Sequence, residues 1–496
     1  MTRLARASLV LAAGLALGGC MVGPDYVRPT APMATAFTET PAGWKRAEPA
    51  DALPRGAWWR IYEDPVLDAL VERVAVDNQN IAAAEAQYRQ AAALVGQARA
   101  ALYPTLGANA SATRSLSPSL SNRPSFARGA VNNFEVDLGA SWVPDLWGSV
   151  RRNIEANVDG WQASEADLAG LTLASQSTLV QSYLQLRVID EARRILEETV
   201  AGYERSLELT QNRYKVGVAG RLDVVQAEAQ LKSTQALLID LQVQRAQLEH
   251  AIAVLMGVPP EGFAIERVPF AQRVPEIPVG VPSELLERRP DVAAAERRAA
   301  SANARIGVAD AAFYPTITLS GAVGYRSLTL PSLLDTPARF WALGAALAQP
   351  LFDGGLRRAV SAQARAFYDQ EAALYRQTVL TALQQVEDNL VALRVLEEEL
   401  TVQRQAVEAS RKSVELTLNQ YRAGTANYLA VITVQAIALN NERAALNIMS
   451  RQLTASAALV QALGGGWQVD DLATVRYGRG GTPLSPPPGS RPPPSS

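Results

Sequence analysis

Two periodicities divide the chain. Phe134, Val136, Leu138, Ala140 and Trp142 alternate with Glu135, Asp137 and Ser141. Ile317, Leu319, Val323 and Tyr325 alternate with Thr316, Thr318 and Ser320, and Trp341, Leu343 and Leu347 continue the pattern. A period of two marks a β-strand with one apolar face. Strands are predicted at 104–114, 132–143, 315–327 and 339–349, in two hairpins. Elsewhere the period is helical. Residues 149–214 contain no proline, and glycine only at Gly160, Gly170 and Gly202. At 1.5 Å per residue such a helix reaches roughly 100 Å. Residues 351–422 are its partner, and shorter helices return over 222–256 and 429–463. In the last, Ile432, Leu439, Leu446, Leu453 and Val460 recur at heptad spacing. Leu231, Leu238 and Ile252 share one heptad phase in the other, which is coiled-coil packing.

The order of elements occurs twice. Leu102-Tyr103-Pro104-Thr105 returns as Phe313-Tyr314-Pro315-Thr316. Residues 206–217 (SLELTQNRYKVG) return at 413–424 (SVELTLNQYRAG), and Met256-Gly257 is echoed by Leu463-Gly464. Offsets that drift so little imply a tandem repeat of helix, hairpin, long helix and return helix. The first repeat spans 65–257, opening with a helix at 65–102 and a hairpin at 104–143. The second spans 290–464, opening with a helix at 290–313 and a hairpin at 315–349. Segments 20–64, 258–289 and 465–496 flank and link them, the last ending in a Pro-, Gly- and Ser-rich stretch from 476 that reads as disordered.

Each strand has the length of a tilted transmembrane strand, about 9–11 residues. The same alternation fits a soluble hairpin packed on a helix. In a membrane, four strands cannot close a barrel, and an open edge cannot sit in lipid. Membrane strands would therefore require several chains, and three would supply twelve. The hairpin tips, 115–128 and 328–338, are rich in Ser, Pro and Arg and would face outward.

Composition narrows the chemistry. Lys+Arg total 47 against Asp+Glu 49, a net charge of −2. That balance gives no reason to expect a nucleic-acid partner. Cys20 is the one cysteine and His250 the one histidine. Most catalytic triads and metal constellations are excluded, so no enzyme, cofactor or metal is expected. At the N-terminus, Arg3 and Arg6 precede a short apolar run over 7–17. This reads as a secretory signal of residues 1–19, too short to span a membrane stably. It ends in Leu17-Gly18-Gly19-Cys20, which looks like a bacterial lipobox with Cys20 as the acylated residue. Met21, rather than Asp, follows it. By resemblance to bacterial lipoproteins this implies sorting to the outer membrane.

Both long helices end in similar turns. Gly217 and Gly424 suit the left-handed position that closes a helix, and Asp223 suits the start of the next one. These turns are expected at the tip far from the membrane.

Taken together, several motifs are specific. They are Gly23-Pro24-Asp25-Tyr26 with Arg28-Pro29, Trp58-Trp59, Asp145-Leu146-Trp147-Gly148 and Glu287-Arg288-Arg289-Pro290-Asp291. Ala295-Glu296-Arg297, Asn303 to Ala309, Phe313-Tyr314-Pro315, Pro350 to Gly355, Asp64-Pro65 with Leu67, Tyr421 to Leu429 and Ala462 to Trp467 complete the set, with Gly19-Cys20 before them. On these residues the chain resembles the TolC superfamily, and within it the NodT-like outer-membrane lipoprotein channels of resistance-nodulation-division pumps. The resemblance covers nearly the whole mature chain. It implies a mixed α/β membrane protein: a homotrimer with a twelve-stranded outer-membrane β-barrel, four strands per chain, continuous with a long periplasmic α-helical coiled-coil barrel. It implies passive conduction of small molecules, with a periplasmic adaptor and an inner-membrane RND-type transporter as partners, and outer-membrane lipid around the barrel.

By position in the family pattern, Asp223 and Tyr421 form a linking pair at the periplasmic gate. They are expected to hydrogen-bond or approach closely, within or between protomers. Ala430, Thr433 and Ala426 stand where the family often has charged or polar groups. An acidic ring is therefore not expected there, and apolar packing by Tyr428, Leu429 and Ile432 is the expected closure. Arg213, Lys215, Gly217, Arg422 and Gly424 are the expected adaptor contacts. Two alternatives fit the same architecture: the duct of a type I protein secretion system, and a non-channel coiled-coil adhesin lipoprotein.

Overall fold

The computed structural model of the chain describes residues 21–32, 37–38, 57–116, 130–270, 273–277, 288–467 and 472. The signal segment, Cys20 and the tail from 476 lie outside these residues. The elements are α1 (Pro65–Asp77), α2 (Gln79–Ala100), β1 (Thr105–Ser115), β2 (Val131–Trp142), α3 (Ser149–Lys215) and α4 (Arg221–Leu255). Then come α5 (Pro290–Ala311), β3 (Thr316–Ser327), β4 (Arg339–Ala348), α6 (Leu356–Ala423) and α7 (Tyr428–Ala462). No helix among the described residues is long and apolar enough to cross a membrane.

Two expectations need correction. The helix expected over 65–102 is broken at Asn78, whose backbone is extended. Its Oδ1 accepts from the N–H groups of Asn80 (2.9 Å) and Ile81 (3.1 Å), and so caps α2. Its Nδ2 donates to the carbonyl of Leu255 at 2.7 Å. The helix expected from 351 begins at Leu356. Gly354 and Gly355 hold left-handed φ values of +63° and +96°, and Asp353 then takes the N–H groups of Gly355 and Arg357. Of the two hairpin tips, 117–129 lie outside the described residues. The other carries short 3-10 turns at Leu330–Ser332 and Thr336–Ala338.

Two compact units divide the chain, each drawn from both halves of the sequence rather than from one repeat. The first comprises Met1–Pro29, Tyr88–Ala163 and Ala295–Leu374. It contains one antiparallel sheet in the order β1-β2-β3-β4. The register places Phe134 between Ala112 and Ser327, Leu138 between Ala108 and Val323, and Val323 opposite Trp341. The apolar sets of both hairpins thus share one face. That face is open: Trp341 is 72% exposed and Leu343 80%. The other face is polar or small, with Asn109, Ser111, Glu135, Asp137, Ser320 and Arg326. Within the chain, β1 and β4 each leave one edge unpaired.

An N-terminal strap is fixed beside the end of the sheet where β2 finishes and β3 begins. Trp147 stacks on Tyr314 (ring centroids 4.8 Å apart), and its Nε1 donates to the carbonyl of Pro315 at 2.7 Å. The carbonyl of Trp147 accepts from the N–H of Val22 at 3.1 Å. Buried Arg152 donates to the carbonyls of Val22 and Gly23 and to Asp25 at 2.7 Å. Asn303 donates to the carbonyl of Pro24, and Arg28 faces buried Glu296 at 3.6 Å. The backbones meet so closely that a Cβ on Gly23 would lie 2.4 Å from the Cα of Gly307.

The second unit comprises Thr30–Gln87, Ser164–Ala294 and Tyr375–Ser496. Buried charges hold its irregular segments. Arg187 donates to the carbonyl of Glu266, and Arg245 to that of Ile265 and to Asp190, each at 2.7 Å. Arg289 bridges Asp291, Gln385 and the carbonyl of Ala462. Such guanidinium groups tolerate burial because every charge is paired and hydrogen-bonded. The return helices end alike. Gly257 and Gly464 are left-handed, and a Cβ there would meet the carbonyl oxygens of Asp77 and Arg288 at 2.1 and 1.8 Å.

One group beside the strap responds to pH. Asp159 on α3 faces Arg297 at 3.6 Å. Burial pushes its carboxyl up to about 7, with Arg297 opposing and Glu155 and Glu296 adding to the rise. An acid whose folded pKa exceeds its unfolded value costs stability as pH climbs between the two. The advantage of Asp159→Asn over the native chain in melting temperature is expected to grow as pH rises from 4 to 8. Thermal melts across that range check it; a variant equally shifted at both pH values would contradict it.

Candidate functional site

The paired turns at the ends of α3 and α6 are built the same way. Val218 N–H donates to the carbonyl of Arg213 (2.9 Å) and Gly217 N–H to that of Tyr214 (2.9 Å). In the second turn, Thr425 N–H donates to the carbonyl of Gln420 (3.0 Å) and Gly424 N–H to that of Tyr421 (3.1 Å). Both are Schellman closures with glycine at the left-handed position, φ +76° at Gly217 and +80° at Gly424. The following helices are capped differently. Asp223 accepts from the N–H of Gly220 at 3.3 Å, and Asn427 accepts from that of Ala430 at 3.0 Å.

The turns are joined by a buried hub. Ala227, Tyr421, Tyr428 and Val431 form its core, with Leu207, Leu209, Leu418 and Ile432 packed against it. The tyrosine rings lie 5.4 Å apart. Tyr421 donates to the hydroxyl of Thr210, and Tyr428 shares a hydrogen bond with Ser206, each at 3.3 Å. Burial holds the Tyr428 phenol above its ordinary range, with the Ser206 hydrogen bond opposing, so it stays protonated. Arg213 crosses from the first turn to the second. Its guanidinium lies 4.7 Å from the centroid of the Tyr421 ring and donates to the carbonyls of Tyr421 (2.8 Å) and Arg422 (3.3 Å). A cation there answers the carbonyls left unpaired at a helix C-terminus. A cavity of about 370 Å³ opens beside the hub, lined by Tyr203, Ser206, Arg411, Leu418, Gln435 and Glu442 among others.

These positions revise the expected roles. Among the described residues, Tyr421 and Asp223 do not hydrogen-bond within the chain. The Tyr421 hydroxyl is taken by Thr210, and the Asp223 carboxylate closes its own helix start. Tyr428 and Tyr421 are each only 2% exposed, so they hold their own chain together rather than project from it. Ile432 is part-buried on the hub, whereas Leu429 is exposed. Arg213 is part-buried and committed to the second turn, whereas Lys215, Gly217, Arg422 and Gly424 are exposed. Ser206 and Thr210 were missed as hub partners. Their recurrence as Ser413 and Thr417 was the available signal, but it marks both copies and only the first pair is buried.

Removing the cross-turn cation should loosen the second turn. Arg213→Ala is expected to lower local stability by about 1–2 kcal/mol, losing a stacked cation and charge-assisted hydrogen bonds. Hydrogen exchange at 420–428 should then quicken by roughly tenfold, while Tyr421→Phe, which loses one long hydrogen bond, changes it less. Unchanged exchange in Arg213→Ala would refute the clamp.

The sequence model of the family described as outer membrane efflux protein matches residues 70–258 and 281–465. The pyoverdine export outer membrane protein OpmQ of Pseudomonas aeruginosa is 32% identical over 474 residues, covering 94% of this chain and 98% of that protein. The probable efflux pump outer membrane protein TtgC of Pseudomonas putida is 31% identical, covering 94% and 97%. Among solved structures, the outer-membrane channel OprN superposes with a TM-score of 0.83 at 31% identity, covering 90% of this chain and all of that one.

Proposed function

Because this chain belongs to the outer membrane efflux protein family, we propose that three copies close a twelve-stranded barrel in the outer membrane. The chain is an outer-membrane efflux channel, and its mechanism is passive: it offers a path, and an inner-membrane transporter reached through a periplasmic adaptor supplies the energy. The cargo is taken to be small organic molecules, the class to which pyoverdine, named for one relative, belongs. The observation that carries the barrel is the sheet itself. It has a continuous exposed apolar face, a polar face behind it, and two edges without partners. Soluble surfaces rarely leave so large an apolar patch uncovered. In hydrocarbon, each edge must find another strand.

The strap supports a lipid anchor at Cys20. Met21 follows Cys20 directly, and Val22 is already bonded to Trp147. An acyl group on Cys20 would anchor the chain two residues before the Val22 contact. At the tip, exposed Leu429 is proposed to close the gate by packing between copies, with Asp223 positioned to meet the neighbouring copy. Lys215, Gly217, Arg422 and Gly424 form the face offered to the adaptor. The chain's duplication is proposed from its twice-occurring element order and its matching helix ends.

Leu343→Arg puts a charge on the lipid face and should cost about 2–4 kcal/mol near the bilayer midplane. Ala346→Arg, on the opposite face of the same strand, should be tolerated. Outer-membrane incorporation of heat-labile oligomer is expected to fall for the first alone. Equal incorporation would sink the barrel reading, as would a purified native chain that forms no pores in planar bilayers. Radiolabelled palmitate should enter the native chain and be lost in Cys20→Ala; label retained in that variant would place the lipid elsewhere.

A further inference from the structure

The polar face of the sheet carries three charges in its described strands: Glu135, Asp137 and Arg326. They are not equivalent. Arg326 stands directly opposite Glu135 in the register and donates to its Oε1 at 2.6 Å. Its guanidinium also lies 4.8 Å from the centroid of the Phe340 ring, on the same face. Glu135 is thus neutralised, and Arg326 is held.

Asp137 follows on the same face of β2, and no cation stands opposite it. Its cross-strand neighbours are Asn109 and Gly324. Asn109 is a neutral donor, at 3.3 Å from Oδ2. Gly324 is obligatory, because a Cβ there would lie 2.3 Å from the carbonyl oxygen of Val136 and 2.8 Å from the Cβ of Asp137. The opposing position is therefore bare. The next residues on that face, Gly107, Gly139 and Ala322, are too small to shield the carboxylate. Arg326 stands diagonal to Asp137 and attracts it, but is already held by Glu135, so the described polar face keeps one net negative charge per chain.

We infer that Asp137 sets the ion preference of the duct: three such carboxylates form a cation-favouring layer inside the barrel, which Arg326 moderates. The inference rests on the trimeric barrel proposed above, whose lumen this face would line. Twelve strands about 4.8 Å apart and tilted about 40° give a backbone radius of roughly 12 Å. The Debye length is about 10 Å at 0.1 M salt and about 3 Å at 1 M. The layer's field therefore spans the lumen at low salt and is screened at high salt. Cationic cargo, organic cations included, is favoured over anionic cargo at this depth.

The test is the potassium-to-chloride permeability ratio of the purified full chain in planar bilayers, read from reversal potentials in a KCl gradient near 0.1 M. The native channel is expected to favour potassium. Asp137→Asn, nearly isosteric, should lower the ratio by about two- to fourfold. Arg326→Gln should raise it by freeing Glu135. Both effects should fade near 1 M KCl. Channels that open with an unchanged ratio in Asp137→Asn, or with a lowered ratio in Arg326→Gln, would overturn the inference and leave the barrel standing. A native chain that gives no conductance would overturn the barrel and this inference together.

Discussion

A β-strand in hydrocarbon has nowhere to place its backbone N–H and C=O groups except on another strand. In this chain that requirement falls on β1 and β4, the two outer strands of a sheet with one apolar and one polar face. The chain contains no further strand among its described residues to cover either edge. In the proposed barrel, closure comes from other copies, and the handing of β4 to a neighbour's β1 is the simplest repeating contact. In that barrel the two-faced register assigns sides: the apolar face would meet lipid, and Asn109, Asp137 and Ser320 would meet water.

Several of the motifs that marked the family lie around the strap. Gly23, Pro24 and Asp25 are received by Gly307, Asn303 and Arg152, while Arg28 faces Glu296. Trp147 and Tyr314, drawn from two separate motifs, stack on each other and hold Val22. The glycines are explained by approach distances shorter than any side chain permits, and the charges by burial that must be paired. Those residues tie the strap to the end of the sheet.

The strands were legible because a period of two with one apolar face leaves little ambiguity; each begins and ends within one residue of its alternating segment. The helix ends were legible through repeated glycines. The break at Asn78 was not, since asparagine inside a helical pattern is tolerated and its reason is a distant carbonyl, that of Leu255. The partner of Tyr421 was not legible either. Sequence places both Thr210 and Asp223 near the turns, but they sit on different helices, α3 and α4, and only the packing of these against α6 decides which one meets the phenol.

The two turns share one backbone design yet carry unequal loads. Tyr214 and Tyr421 occupy matching positions, but the first is 46% exposed and the second is buried. Arg213 accounts for much of the difference: it crosses to the second turn, while its counterpart, Gln420, has no charge with which to cross back. The hub that results lies wholly within one chain. In the proposed trimer, opening the tip then need not break the tyrosine pair or the Arg213 clamp, because each chain's two turns can move as one body. The contacts that must change are those between copies, where exposed Leu429 stands. A gate of this kind is held by weak apolar contacts between units that are themselves rigid. Its closed state then depends on packing between copies and little on charge, which agrees with Ala430 and Thr433 standing where an acidic ring would have been.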